Sequence, residues 1–265
     1  MHTRWTGCGT ALVTPFTAQG DLDESTITRL ARRQIDGGVH FLVPCGTTGE
    51  SPSLSHREKV RVTELVVQAA NGQVPVLAGA GSYDTQTAVQ LVADMAKTGV
   101  DGILSVTPFY NKPTQEGLYR HFETIASSTD LPVVLYNVPS RTGCNIQPAT
   151  LARLAAVPNI VGIKEASGNL LQMCEICRLI PENFSVLAGD DAFTLPLIAL
   201  GGHGVISVVA NETPAEMTNL VKLANTAKFQ EARQVHEQLL PLMQVNFIES
   251  NPIPVKAAMA ALGLL

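Results

Sequence analysis

Eight short apolar runs, each followed by an amphipathic stretch, set what this chain can fold into. The runs are Gly9–Pro15, Phe41–Cys45, Val74–Gly79, Gly102–Thr107, Val133–Tyr136, Ile160–Lys164, Ser185–Ala188 and Gly204–Val208. Each is rich in Val, Ile or Leu, or nearly continuous in apolar residues, which suits strands buried on both faces. The first amphipathic stretch, Asp23–Asp36, opens with acids and stops at Gly37-Gly38. Ser55-His56-Arg57-Glu58 offers a capping box for a helix running to about Ala70. Asp84–Lys97, Thr114–Ser127, Gln147–Ala156, Asn169–Leu179, Ala192–Leu200 and Pro214–Ala224 complete the set, with Pro148 and Pro214 in first helical turns. Repeated at intervals of roughly 20 to 35 residues, this rhythm predicts an α/β fold, the (β/α)8 or TIM barrel. A doubly wound open sheet would want a glycine-rich phosphate turn after its first strand, which Gly9-Thr10-Ala11-Leu12 does not supply. Phe229–Phe247 and Val255–Leu262 read as additional C-terminal helices. No low-complexity linker divides the chain. The expectation is therefore a barrel over 1–225 and a helical extension over 226–265 packed on it, one domain overall.

The 265 residues, 45% of them hydrophobic, suffice for one sizeable core. A net charge of −5 argues against a nucleic-acid partner, which favours a basic patch. No uninterrupted apolar run is long enough to predict a membrane span. Met1-His2-Thr3-Arg4-Trp5 lacks the apolar segment of a secretory leader. The five cysteines are odd in number and the chain is large, which argues against a disulfide framework and for a reducing cytoplasm. Cys174 and Cys177 have redox or zinc spacing. They fall inside one helix, with no second such pair and no flanking histidine, and read as two cysteines on neighbouring helix faces. No HxH or HExxH pattern predicts a metal site, and no Gly-x-Ser-x-Gly elbow is present.

Barrel active sites form where the strands end at the C-terminal face. The second run ends in Gly46-Thr47-Thr48-Gly49-Glu50-Ser51, where backbone N–H groups between two glycines can bind a carboxylate; an ordinary βα turn has the same spacing. The fourth ends in Pro108-Phe109-Tyr110-Asn111-Lys112, either a hydrophobic lid or part of a catalytic apparatus. After the fifth come Tyr136, whose phenol can move protons, and Arg141, whose planar fork suits a carboxylate; both types also serve structural roles at strand ends. Gly201-Gly202-His203-Gly204 precedes its strand, at the wrong end of the barrel for phosphate binding, and reads as a turn. Most informative is Ile160-Val161-Gly162-Ile163-Lys164-Glu165, since lysine is almost never fully buried unless paired. Alternation places Ile160, Gly162 and Lys164 on one face and Val161, Ile163 and Glu165 on the other. With the first set inward, Gly162 leaves space beneath the amine. An amine kept from water loses charge more easily and attacks carbonyls to form imines. A lysine reaching out to solvent from the strand end is the competing reading.

Six segments in order resemble one family, the dihydrodipicolinate synthases of the pyruvate-dependent class I aldolase superfamily. They are Gly46–Glu50, Pro108–Asn111, Tyr136–Gly143, Gly162–Gly168, Gly189–Asp191 and Asn251–Lys256, and the resemblance runs from Gly9 through essentially the whole chain. It implies that Lys164 forms an imine with pyruvate and that Tyr136 shuttles protons. It implies that Thr47 links two tyrosines in a relay, the second being Tyr110 supplied by the neighbouring subunit. Thr48 is implied to hold the pyruvate carboxylate, Arg141 the carboxylate of L-aspartate 4-semialdehyde, and the backbones of Gly189 and Ile206 to line the pocket. No cofactor or metal is implied, and the partners are the two substrates and further copies of the chain, as a tight dimer or dimer of dimers. Members of the family carry helical sequence beyond the point matching Leu265, which bears on how the C-terminal helices pack. Ser51 and His56 match the allosteric lysine site of feedback-inhibited members. Lys59 stands there in place of a histidine, Tyr83 of an asparagine, Thr87 of a glutamate and Phe109 of a tyrosine, so weak or absent inhibition by L-lysine is expected.

Two alternatives stand beside this reading. One is another superfamily member, such as an N-acetylneuraminate lyase or a keto-deoxy-sugar-acid aldolase; Arg141 and Tyr110 speak for the synthase. The other is a catalytically silent barrel acting as a binding or scaffold protein. The presence of Thr47, Tyr110, Tyr136, Arg141 and Lys164 together speaks against it.

Overall fold

Eight parallel strands close into a barrel: β1 (Gly7–Ala11), β2 (Phe41–Val43), β3 (Leu77–Gly79), β4 (Gly102–Val106), β5 (Val133–Asn137), β6 (Ile160–Glu165), β7 (Ser185–Ala188) and β8 (Gly204–Ser207). The structure is a computed structural model that describes residues 5–265; the reading of Met1–Arg4 as free of a leader lies outside them. The strands run in the order β2-β1-β8-β7-β6-β5-β4-β3. The ring closes between β2 and β3 through a parallel bridge from Leu42 to Val76, and the Gly79 N–H donates to Pro44 O at 2.9 Å. β3 begins later than the apolar run predicts, because Pro75 has no N–H to give the ladder. β1 ends earlier, at Ala11; beyond it the chain turns toward the mouth, where Thr14 Oγ1 donates to Gly49 O at 2.8 Å.

Helices follow the strands: α1 (Glu24–Asp36), α2 (His56–Ala70), α3 (Thr85–Ala96), α4 (Gln115–Ser127), α5 (Pro139–Thr142), α6 (Pro148–Leu154), α7 (Leu170–Leu179), α8 (Thr194–Ala199) and α9 (Pro214–Asn225). The capping box forms: Ser55 Oγ accepts from Glu58 N–H, and the Glu58 carboxylate accepts from Ser55 N–H at 2.8 Å. Such a cap contributes about 1 kcal/mol. Pro148 and Pro214 occupy first turns, as expected. The expected helix Ala192–Leu200 divides into a 3-10 turn, Asp191–Phe193, and α8.

Alternation along the strands builds two apolar layers. Phe41, Leu77, Leu104, Val134, Leu187 and Ile206 fill the barrel interior with Trp5. Their neighbours Leu42, Ala78, Ile103, Leu135, Val186 and Val205 face outward into the layer shared with the helices. Both layers are buried, which accounts for the near-continuous apolar runs.

Two further helices follow, α10 (Phe229–Val245) and α11 (Ile253–Ala261). α11 buries Val255 and Met259 against Val13, Leu30 and Val208. Its Lys256 Nζ donates to Thr14 O at 2.9 Å and Glu50 Oε1 at 2.7 Å. These contacts bring the connection between α10 and α11 over the barrel mouth.

Candidate active site

Lys164 stands near the end of β6, directly across the ladder from Tyr136 on β5. The strand does not reach it by simple alternation. Val133 pairs with Ile160 but Val134 with Gly162, so Val161 is an extra residue in the ladder. Ile160 and Ile163 both lie in the outer layer, while Val161 packs on the interior one. The expected grouping of Ile160 with Gly162 and Lys164 is thereby corrected: one inserted residue reverses the face of everything before it. Lys164 still faces inward, only 3% exposed, with Nζ 4.3 Å from the centre of the Tyr136 ring. Among the described residues no carboxylate pairs with this amine.

Space for the lysine comes from an unexpected glycine. A Cβ on Gly162 would meet Ser185 O at 2.8 Å, so that glycine admits the close approach of β7 and is not the residue that makes room for the amine. Gly189, just past β7, is. A Cβ there would lie 3.1 Å from both Cγ and Cε of Lys164 and 2.6 Å from Ala166 Cβ.

The amine opens into a cavity of about 530 Å³ lined by Thr48, Tyr136, Arg141, Lys164, Gly189 and Asn251, among others. Arg141 is carried by α5, a single turn that the strand-end reading did not anticipate. Its Nη2 donates to Asn251 O at 3.1 Å, and Asn251 Nδ2 donates to Thr48 Oγ1 at 2.9 Å. The connection between α10 and α11 thus forms one wall, with Phe247, Ser250 and Asn251. Asn251 and Asp190 fall in recognised segments, but no local pattern marks them as lining residues. Thr47 lines an adjoining cavity of about 560 Å³ that shares Tyr136 and Arg141 with the first.

Two expected residues stand elsewhere. Ile206 is fully buried in the barrel interior and lines neither cavity; Val208 takes that place in the wall. Its position is held by Asp191, whose carboxylate accepts from Ser207 Oγ, from Val208 N–H at 2.9 Å and from Val209 N–H at 3.2 Å. Burial pushes the Asp191 carboxyl up from its ordinary range, against those hydrogen bonds. Tyr110 lines neither cavity within the chain. It is 89% exposed, on a backbone at φ 69°, left-handed and strained for a non-glycine residue. Phe109, the preceding residue, makes an edge-to-face contact with Tyr83, centroids 5.4 Å apart.

A buried primary amine, a phenol against it and a guanidinium at the entrance form a site suited to carbonyl chemistry. An amine can attack a carbonyl, a phenol can relay protons and a guanidinium can bind an anion. Among the described residues no three or more His, Cys, Asp or Glu side chains are grouped to hold a metal ion. Nor is any described helix long and apolar enough to cross a membrane.

Residues 4–265 match the model of the Dihydrodipicolinate synthetase family. The 4-hydroxy-tetrahydrodipicolinate synthase of Koribacter versatilis is 52% identical over 258 residues, covering 97% of this chain and 86% of that protein. The dihydrodipicolinate synthase crystal structure from Aquifex aeolicus superposes with a TM-score of 0.96 at 45% identity, covering 98% of this chain and 89% of that one. The enzyme from Cyanidioschyzon merolae, solved with lysine bound, gives a TM-score of 0.96 at 40% identity, covering 100% and 90%.

Proposed function

Because the chain belongs to the dihydrodipicolinate synthetase family, we propose that Lys164 is the residue on which it builds its covalent intermediate. The enzyme is a lyase of the class I, Schiff-base type. It makes 4-hydroxy-tetrahydrodipicolinate in lysine and diaminopimelate biosynthesis, condensing pyruvate with L-aspartate 4-semialdehyde. The observation that carries the assignment to Lys164 is its place: a buried amine with no carboxylate partner among the described residues, on the inner face of β6 and against Tyr136.

In this reading the Lys164 amine adds to the pyruvate ketone, and Tyr136 delivers the proton with which the hydroxyl leaves as water. The imine nitrogen then draws electrons from the neighbouring C–H bond, the methyl group loses a proton, and an enamine forms. The enamine carbon bonds to the aldehyde carbon of the second substrate, whose oxygen takes up a proton. The amine of that substrate next adds to the imine carbon, expels Lys164 and closes the ring. The imine nitrogen serves as the electron sink throughout, and we assign no metal or cofactor to any step. Thr48 holds the pyruvate carboxylate, Arg141 that of the second substrate, and Gly189 and Val208 shape the wall. Thr47 lines the same cavity as Tyr136 and passes protons toward Tyr110 of the partner subunit. The exposure of Tyr110 on a strained tip supports its delivery across a subunit interface, in a tight dimer or dimer of dimers. Five free cysteines are in keeping with a cytoplasmic location. An assay with pyruvate and L-aspartate 4-semialdehyde, beside cleavage of N-acetylneuraminate and keto-deoxy sugar acids, tests the assignment. Turnover of a sugar acid without the condensation would overturn it.

We further propose that L-lysine inhibits weakly or not at all. Ser51, His56, Lys59, Tyr83, Thr87 and Phe109 all line the 560 Å³ cavity. The Lys59 ammonium repels an amino acid's side-chain ammonium, and Thr87 offers no carboxylate to offset it. Activity is expected to stay flat as lysine rises into the millimolar range; strong inhibition there would contradict this.

A further inference from the structure

Behind the Lys164–Tyr136 pair, on the outer face of the same two strands, lies a second pair: Asn137 on β5 and Glu165 on β6. Glu165 is fully buried. Its Oε1 accepts from Ser167 N–H at 2.7 Å, and its Oε2 from Asn137 Nδ2 at 2.9 Å and Gln172 Nε2 at 3.4 Å. The Asn137 amide is oriented by its other end, since Oδ1 accepts from Ile146 N–H at 3.0 Å. Asn145 completes the group: its Oδ1 accepts from Asn137 Nδ2 at 2.7 Å and its Nδ2 donates to Gln172 Oε1 at 2.7 Å. These three bonds come from N–H donors, and among the described residues no cation pairs with the carboxylate. The group links the end of β5, the loop after α5, the end of β6 and the start of α7.

We propose that Glu165 is a positioning residue for the reaction, fastening the ends of β5 and β6 so that Lys164 and Tyr136 keep their mutual placement. This rests on the reading of Lys164 as the nucleophile. Side chains alternate along each strand, so a shift of Glu165 against Asn137 carries the inward pair with it. A buried carboxylate is costly, and an apolar pair would fill the same space in the outer layer more cheaply. A fully bonded polar group instead permits only one arrangement of the four segments.

The test is Glu165→Gln, of nearly the same shape. Whichever way its amide sits, an NH2 faces either Ser167 N–H or the Asn137 and Gln172 donors, so at least one of these bonds is lost. The readouts are kcat and KM for pyruvate, the rate at which borohydride traps pyruvate on Lys164, and Tm. A falling kcat and trapping rate, by about tenfold to a hundredfold, is expected with KM within about threefold. Glu165→Asp, which keeps the charge and both acceptors, is expected to recover part of the rate. A folded Glu165→Gln with kcat and trapping within about twofold of wild type overturns the proposal. Should that variant fail to fold, Gln172→Ala decides, because it removes only an outer member: slowed trapping supports the proposal and a wild-type rate overturns it. If wild-type protein itself traps no pyruvate, the assignment of Lys164 fails, a result distinct from either.

Discussion

Gly189→Ala perturbs the site by one methyl group whose collisions are known. The added Cβ would lie 2.6 Å from Ala166 Cβ and 3.1 Å from Cγ and Cε of Lys164. Carbon atoms pack at about 3.5–4.0 Å, so Ala166 must retreat by about 1 Å and the lysine stem by about half as much. Ala166 has no rotamer to relieve the clash; its backbone, two residues beyond Lys164, must move. Overpacking of this kind costs about 1–3 kcal/mol, and Tm falls by about 2–4 °C per kcal/mol in a chain of this size. The kinetic effect is larger in proportion, since misplacing a reacting group by about 1 Å can cost a hundredfold. The variant is expected to stay folded while the rate of borohydride-trapped pyruvate adduct, followed by intact mass, drops tenfold to a hundredfold. An adduct forming at the wild-type rate in a folded Gly189→Ala protein would refute the claim that this glycine makes room for the nucleophile.

Glu212 supplies a pH dependence. Burial pushes its carboxyl up to about 7, opposed by the hydrogen bond from Asn246 Nδ2 at 2.7 Å and aided by the nearby Asp191 charge. The raised value means that the folded state holds its proton more tightly than the unfolded chain does. The associated stability is therefore fully present below the usual carboxylate range and lost as pH rises through about 7. Thermal unfolding from pH 5 to 8 should show Glu212→Gln with a shallower decline than wild type, the difference being at most about 1.4 kcal/mol per pH unit. Parallel curves would count against this. Lys256→Met removes the bonds to Thr14 O and Glu50 together with the ammonium's contact with the Phe16 ring at 4.9 Å, and should lower stability by about 1–2 kcal/mol by denaturant titration. An unchanged midpoint would show that α11 is held by its apolar face alone.

Much of the architecture was legible because strands buried on both faces leave a simple trace. The apolar runs and the Ser55–Glu58 box declare themselves locally. What sequence could not supply depends on contacts between distant segments. The β6 bulge lies where Val133 and Val134 of β5 face Ile160 and Gly162, and nothing in Ile160-Val161-Gly162 announces which residue is extra. Alternation along β6 assigns the space around the lysine to Gly162, yet it is at Gly189, just past β7, that an added side chain would press on it. Asn251 meets Thr48 across 203 residues of chain, and Asn137 meets Glu165 behind the site across 28. Such juxtapositions come with closure of the barrel and leave no periodicity to read. Tyr110 marks the opposite limit: the residue is plain in sequence, but a single chain gives it nothing to act on.

The most direct measurement incubates the protein with pyruvate and borohydride and maps the modified residue by peptide mass. One reduced pyruvate per chain on Lys164, and none in Lys164→Ala, is the predicted result. Labelling spread over surface lysines, or undiminished in Lys164→Ala, would mean that the buried β6 amine is not where carbon–carbon bond formation begins.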